Sequence, residues 1–209
     1  MRTYLTENEV GLDEKQIKRL LDTVERLEKS TEYRSKIRFF NSIFSETPCE
    51  ENGYRRFDYD RACAMVLFFA NKCKSLLKTK LMKLLNYADM VFYKENGISM
   101  SGLKYVHLPY GPVPDNFDFL LGKMAADHIA HIEVYCINGY ENHQVIPECE
   151  FSDDMLSDAE IEVLERIYDK FKNFGSADIS EYSHKEKGYS STKPGEVISY
   201  AYAKDIDLA

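Results

Sequence analysis

The residue types best suited to moving protons gather in Ser180-Glu-Tyr-Ser-His184-Lys-Glu186, where a hydroxyl, an imidazole and a carboxylate are near neighbours. Imidazole and carboxylate can share a proton near neutrality, so His184 and Glu186 could serve a hydrolase or transferase. At a helix end the same residues more often cap the helix and bond the turn, and partner contact is a third use. His128, His131, Cys136, His143 and Cys149 form a second group, of metal-ligating types. A hairpin crosses that group without converging its ligands, so polar strand positions are expected and no metal is assigned. Lys72, Lys74, Lys78, Lys80 and Lys83 form the one basic cluster. A solvated helical face is the expectation there, with nucleic-acid contact as the alternative. The dinucleotide glycine fingerprint, the phosphate loop, His-Glu-x-x-His and Gly-x-Ser-x-Gly are all missing from the sequence. No catalytic residue and no cofactor is assigned, and the chain is expected not to be an enzyme.

A different kind of chemistry is written in His107-Leu-Pro-Tyr-Gly-Pro-Val-Pro114. Pro109, Pro112 and Pro114 fix three φ angles and remove three donors, and the residue before each is pushed extended. Tyr110 therefore sits in a stiff stretch with little entropy left to lose on binding. Tyrosine is also a favoured interface anchor. The same stretch could equally be a strand-to-helix corner whose tyrosine packs inward.

Elements that position these residues follow from periodicity. Residues 13–30 predict an amphipathic helix capped by Asp13, with Ile17, Leu20, Leu21, Val24 and Leu27 on one stripe. A second helix is expected over 33–44 and a linker over 45–53, which carries both Pro48 and Gly53. Asp58 or Asp60 opens a helix through Ala70 that is apolar nearly all round and hence central. Residues 78–93 continue as another, with Leu81, Leu84, Leu85, Ala88 and Phe92 inward and Asn96-Gly97 as its stop. Residues 103–107 predict a short strand, and Pro114 the first turn of a helix carrying Phe117, Leu120, Leu121 and Met124. Alternation over 131–137, then Asn138-Gly139, predicts a hairpin in which Ile132 faces Val145, Val134 faces His143 and His131 faces Ile146. Ser157-Asp-Ala-Glu160 is a capping box before another helix. A short helix over 176–184 and a last one over 195–204 complete the pattern. The expected fold is α+β and mainly α, a helical bundle with a small antiparallel sheet made of a hairpin and one short strand.

The chain has 209 residues, 44% of them hydrophobic, enough for a packed core. Residues 1–57 are expected to form an N-terminal helical extension and 58–209 the main domain. No apolar run approaches the ~20 residues needed to span a bilayer, and the N-terminus has no hydrophobic signal region. The five cysteines are odd in number and contain no Cys-x-x-Cys, so free thiols and a cytoplasmic setting are expected. The net charge of −8 is uneven: residues 1–104 hold 19 Lys+Arg against 15 Asp+Glu, and 105–209 hold 8 against 20. An acidic half is poorly suited to phosphate backbones and better suited to solubility or to steering a basic partner.

Three ordered motifs carry a family resemblance: Lys78-Thr-Lys-Leu-Met-Lys-Leu-Leu-Asn-Tyr-Ala-Asp89, Tyr105-Val-His-Leu-Pro-Tyr-Gly-Pro-Val-Pro114 and Ile179-Ser-Glu-Tyr-Ser-His-Lys-Glu186. Together they resemble the Panacea domain, the SocA-like antitoxin family also labelled phage-associated protein (GepA-like), over residues 58–204. The resemblance implies an antitoxin of a type II-like system, found in bacterial and phage operons, that neutralises a cognate protein toxin by direct binding. One branch is similar to an adaptor that delivers its toxin to a cytoplasmic protease. The family's shared residues map to Lys80, Tyr87 and Asp89, to Tyr110, Gly111 and Pro112, and to Ser183, His184 and Glu186. Tyr105, Pro109 and Pro114 flank them. Many relatives carry tryptophan shortly after the last motif, where this chain has Tyr189 and no Trp. Many longer relatives begin with a DNA-binding helix-turn-helix, whereas residues 1–57 look like the connecting helices that follow one. The alternative implied is a transcriptional regulator of a phage-related operon whose DNA reader is missing here. DNA binding is then not expected of this chain alone, a homodimer through the N-terminal helices is the open assembly state, and no membrane partner is implied.

Overall fold

A computed structural model describes residues 18, 21, 22, 26, 42–44, 46–137 and 139–208. The helices expected over 13–30 and 33–44 lie almost wholly outside the described residues. The chain divides into two units, Met1–Phe44 and Ser45–Ala209, and the second holds all three motifs. It is mainly helical with two small antiparallel sheets.

Helix α1 spans Tyr59–Lys72 and opens where the Asp58 carboxylate accepts the Arg61 N–H. Its buried residues lie all around it, as befits a central helix: Ala62, Met65, Val66 and Phe69 among them. Helix α2, Lys78–Asn96, is buried without interruption from Lys80 to Phe92. Gly97 ends it with φ +73°, donating its N–H to Tyr93 O. Each large apolar side chain buried this way contributes about 1.5–3 kcal/mol. The stretch expected as a linker is instead fastened down. A 3-10 turn over Glu50–Asn52 leads into Gly53, whose carbonyl accepts from Ser99 N at 2.8 Å, while Ser99 Oγ donates to Asn52 O.

Strand β1, Tyr105–Leu108, pairs antiparallel with β2, Gly111–Pro114, through a two-residue turn of Pro109 and Tyr110. Pro114 thus ends a strand and does not start a helix. The reason lies on the other side of β1. His107 donates to Glu196 O and accepts from Gly195 N, and Tyr105 O accepts from Ile198 N. With those main-chain groups used on the outer edge, the residues opposite them on β2 need no N–H. These are Pro112 and Pro114. A turn at Gly195, with φ +85°, and the bridge of Val197 to Val106 therefore replace the start of the expected last helix, and only a 3-10 helix, Tyr200–Asp205, follows.

Helix α3, Phe117–Ala126, buries Leu120, Leu121 and Met124. The second hairpin joins β3, Ala130–Ile137, to β4, Tyr140–Pro147, in the expected register of Ile132 with Val145, Val134 with His143 and His131 with Ile146. Helix α4, Asp158–Phe171, has the expected capping box between Ser157 and Glu160. It turns Val163, Leu164, Ile167 and Phe171 inward against α2. Helix α5, Ser176–His184, then packs on β2, and the single turn α6, Lys187–Ser190, reaches β1 through Tyr189, which stacks on His107. Among the described residues no helix is long and apolar enough to cross a membrane.

Candidate partner-binding site

Helix α2 is the spine of the site. Spacings of three and four residues bring Lys80, Lys83 and Tyr87 onto one stripe. Lys80 and Lys83, expected on a solvated face, are both buried, because α2 is surrounded by α1, α4, α5 and β2. Lys80 Nζ donates to Phe174 O at 2.7 Å and Lys172 O at 3.3 Å, carbonyls of the cap and turn that follow α4. Burial pulls its pKa down. Lys83 is buried completely, and its Nζ donates to Pro112 O at 2.9 Å. Burial alone lowers its pKa to about 7. Tyr87 donates to Glu186 Oε1 at 3.2 Å and stacks on Phe171 with ring centres 4.7 Å apart. Burial raises the Glu186 carboxyl above its ordinary range, with the Tyr87 hydrogen bond pulling it back.

Asp89 points to another side of α2. Its carboxylate accepts from Met100 N at 2.8 Å, from Ser101 N and Oγ, and from the Tyr105 hydroxyl at 2.7 Å. Burial raises its pKa against these donors. The Asp89–Tyr105 pair thereby fixes the start of β1 to α2. It stands apart from the turn.

The turn is held from beneath. Gly111 has φ +101°, and a Cβ there would meet Ser183 Oγ and lie 2.6 Å from Lys83 Cε, so conformation and space both demand glycine. The Tyr189 hydroxyl donates to Leu108 O at 2.9 Å. Its ring lies between two imidazoles, 3.7 Å from the centre of His107 and 4.5 Å from that of His184. His107 is secured in turn by Thr192 Oγ1 at 3.1 Å. Burial, then the charges of Lys83 and His107, lower the pKa of His184, whose Nε2 is buried without a hydrogen-bond partner. Tyr110, by contrast, stands 73% exposed at the tip beside exposed Pro109. The inward-packed alternative for that ring does not occur.

So the structure brings Gly111, Pro112, Ser183 and His184 together beneath the turn, seats Tyr87 with Glu186 next to them, and leaves Lys80, Asp89 and Tyr105 at separate anchoring points. The acid–base motif does not assemble a relay: Ser183 donates to Ser180 O, Glu186 accepts from Tyr87 and His184 stacks on Tyr189. His128 and His131 converge on Glu148, at 3.3 and 2.8 Å. Among the described residues no group of three or more His, Cys, Asp or Glu is placed to hold a metal ion. Sequence reasoning missed Lys83 and the clamp made by His107 and Tyr189. The available signal for Lys83 was its place on the Lys80–Tyr87 stripe, in a helix with apolar residues on more than one face.

Three comparisons bear on this arrangement. No curated protein and no solved structure matches the chain significantly. The family model described as "Antitoxin SocA-like, Panacea domain" matches residues 81–189, from α2 through the Tyr110 turn to Tyr189. That span is just over half of the chain and includes Lys83, Gly111, Ser183 and Tyr189 around the turn, so this protein belongs to the SocA-like antitoxin family, as a Panacea domain.

Proposed function

We propose that the chain neutralises a partner toxin by direct protein–protein binding, with the Tyr110 turn as the contact anchor. The observation that carries this reading is the contrast between a turn braced by buried groups and the single large side chain it holds out to solvent. A braced turn loses little entropy on docking, and an exposed tyrosine gains both apolar burial and a hydrogen bond. The acidic second half of the chain favours a basic partner surface. The protein acts as a binder and not a catalyst, consistent with an acid–base motif whose members bond elsewhere. Free cysteines throughout suit work in the cytoplasm.

Co-expression tests both layers of the proposal. The product of the neighbouring reading frame should arrest growth alone, and this chain should restore growth and co-purify with it. Tyr110→Ala should fold normally yet lose rescue, because losing an anchor of this kind weakens binding by about 2 kcal/mol or more. A neighbour that is harmless alone, or stays toxic and fails to co-purify, ends the antitoxin reading. Full rescue by Tyr110→Ala ends the assignment of the turn while leaving the antitoxin reading in place.

A further inference from the structure

Away from the turn, one groove differs in charge from the rest of this acidic chain. It opens between the α1–α2 junction and the α4–α5 turn, has a volume of about 520 Å³, and is lined by Lys72, Lys74, Lys80 and Lys172. No aspartate or glutamate is among its lining residues. In a chain of net charge −8, four lysines lining one open space leave a net positive charge there even after two nearby carboxylates are set against them. Two of the four have carboxylate partners just outside the lining: Lys72 with Glu165, and Lys172 with Asp169 at 3.0 Å. Lys80 rests on the carbonyls of Lys172 and Phe174. Among the described residues Lys74, which is exposed, has no ion-pair partner. Ser176 also lines the groove, and its hydroxyl is buried without a hydrogen-bond partner. The start of α5 is not itself the attraction, because the Asp178 carboxylate already accepts the Gly175 N–H at 2.8 Å.

We propose that this groove binds the phosphate groups of a nucleotide, either free or at the end of an RNA chain. Several lysine point charges around one space match an anion that carries more than one charge, and phosphate oxygens also accept from a hydroxyl such as Ser176. The volume falls within the range of about 300–1,000 Å³ typical of small-ligand sites. Tyr168 and Phe174, also in the lining, give a base a ring surface to lie against. This binding is separate from toxin capture and stands or falls without it.

Calorimetric titration of the whole chain at low salt decides the matter, with inorganic pyrophosphate, ATP and a short RNA carrying or lacking a 5′-phosphate as probes. The expected result is binding of the phosphate probes that weakens as salt is added. It should fall at least about tenfold in Lys74→Glu/Lys172→Glu and stay unchanged in Lys185→Glu, a control at another exposed lysine. Ser176→Ala should weaken it by about threefold to tenfold through the lost hydroxyl donor. ATP binding above RNA assigns a free nucleotide, and 5′-phosphorylated RNA binding above ATP assigns an RNA end. Absence of binding by every probe at millimolar concentration overturns the proposal. So does equal binding by the double variant, or preference for an acidic peptide over all the phosphate probes.

Discussion

Hairpin β1–β2 has four-residue strands, two prolines in one of them, and stem residues that are mostly buried; β3–β4 has eight-residue strands, alternating patterning and a tip open to solvent. The first takes its shape from distant parts of the chain: α2 through Lys83, α6 through Tyr189 and the 195–198 segment through His107. The second is specified largely by its own sequence, and only its base is tied down, where Val145 N donates to Leu76 O. Each presents an exposed tyrosine, Tyr110 at 73% and Tyr140 at 77%. Equal exposure thus sits on unequal foundations. A tyrosine on a braced turn is pre-organised for binding, and one at the far end of a long hairpin held at its base is less so.

Glycine substitutions should separate the two hairpins most strongly. Gly111→Ala meets Ser183 and Lys83 as well as an unfavourable φ, and should destabilise the protein by roughly 3 kcal/mol or more in urea unfolding. Gly139→Ala has φ +83° but open space around it, and should cost only about 1–2 kcal/mol. Equal losses would mean that the first turn is not braced as described.

Lys83 gives the first hairpin a pH signature that the second lacks. Its folded pKa of about 7 lies below the ordinary lysine value. From pH 7 upward the unfolded chain holds a proton that the native chain releases, so stability should rise with pH; below pH 7 both states are protonated and the contribution is flat. Cys63, pushed up to about 12 by burial, and Cys73, raised for the same reason, work in the opposite sense near their ordinary range. Comparing wild type with Lys83→Met between about pH 7 and 8.5 removes that common background, since a lost proton difference changes the slope by at most about 1.4 kcal/mol per pH unit. Parallel curves would mean that Lys83 is solvated.

Smaller effects complete the comparison. Tyr189→Phe loses the bond to Leu108 O and should destabilise by about 1 kcal/mol, with the loosened turn detected by faster amide exchange around Leu108. Tyr110→Ala and Tyr140→Ala should each change stability by about 0.5 kcal/mol or less, as surface positions do. Thermal melts that show a larger loss for Tyr110→Ala would reveal packing at the tip.

The same contrast explains what was legible in the sequence. The β3–β4 register, the Ser157 capping box and the Gly97 stop depend on neighbours within a few residues, and each appears where local rules place it. Pro112 and Pro114 follow a rule that the local sequence cannot display. A proline fits a strand only if its missing donor faces nothing, and here that depends on Tyr105 and His107 bonding to residues far downstream. Lys80 and Lys83 look solvated for the same reason, since only the arrival of α4, α5 and β2 covers them. In the candidate site, the motif residues were recognisable as a set. Their roles as braces, and the exposure of Tyr110 beside Pro109 at the tip, emerge from tertiary packing alone.

The bonds from Gly195, Glu196 and Ile198 to β1 also set an order of assembly during synthesis. The Tyr110 turn leaves the ribosome well before the residues that hold it, so a nascent or prematurely ended chain carries the tip without its support. Translation has to run past Ile198 before the turn reaches its working shape. A pulse-labelled, ribosome-released product ending before Lys187 should therefore be cleaved by protease at the turn, where the longer chain resists.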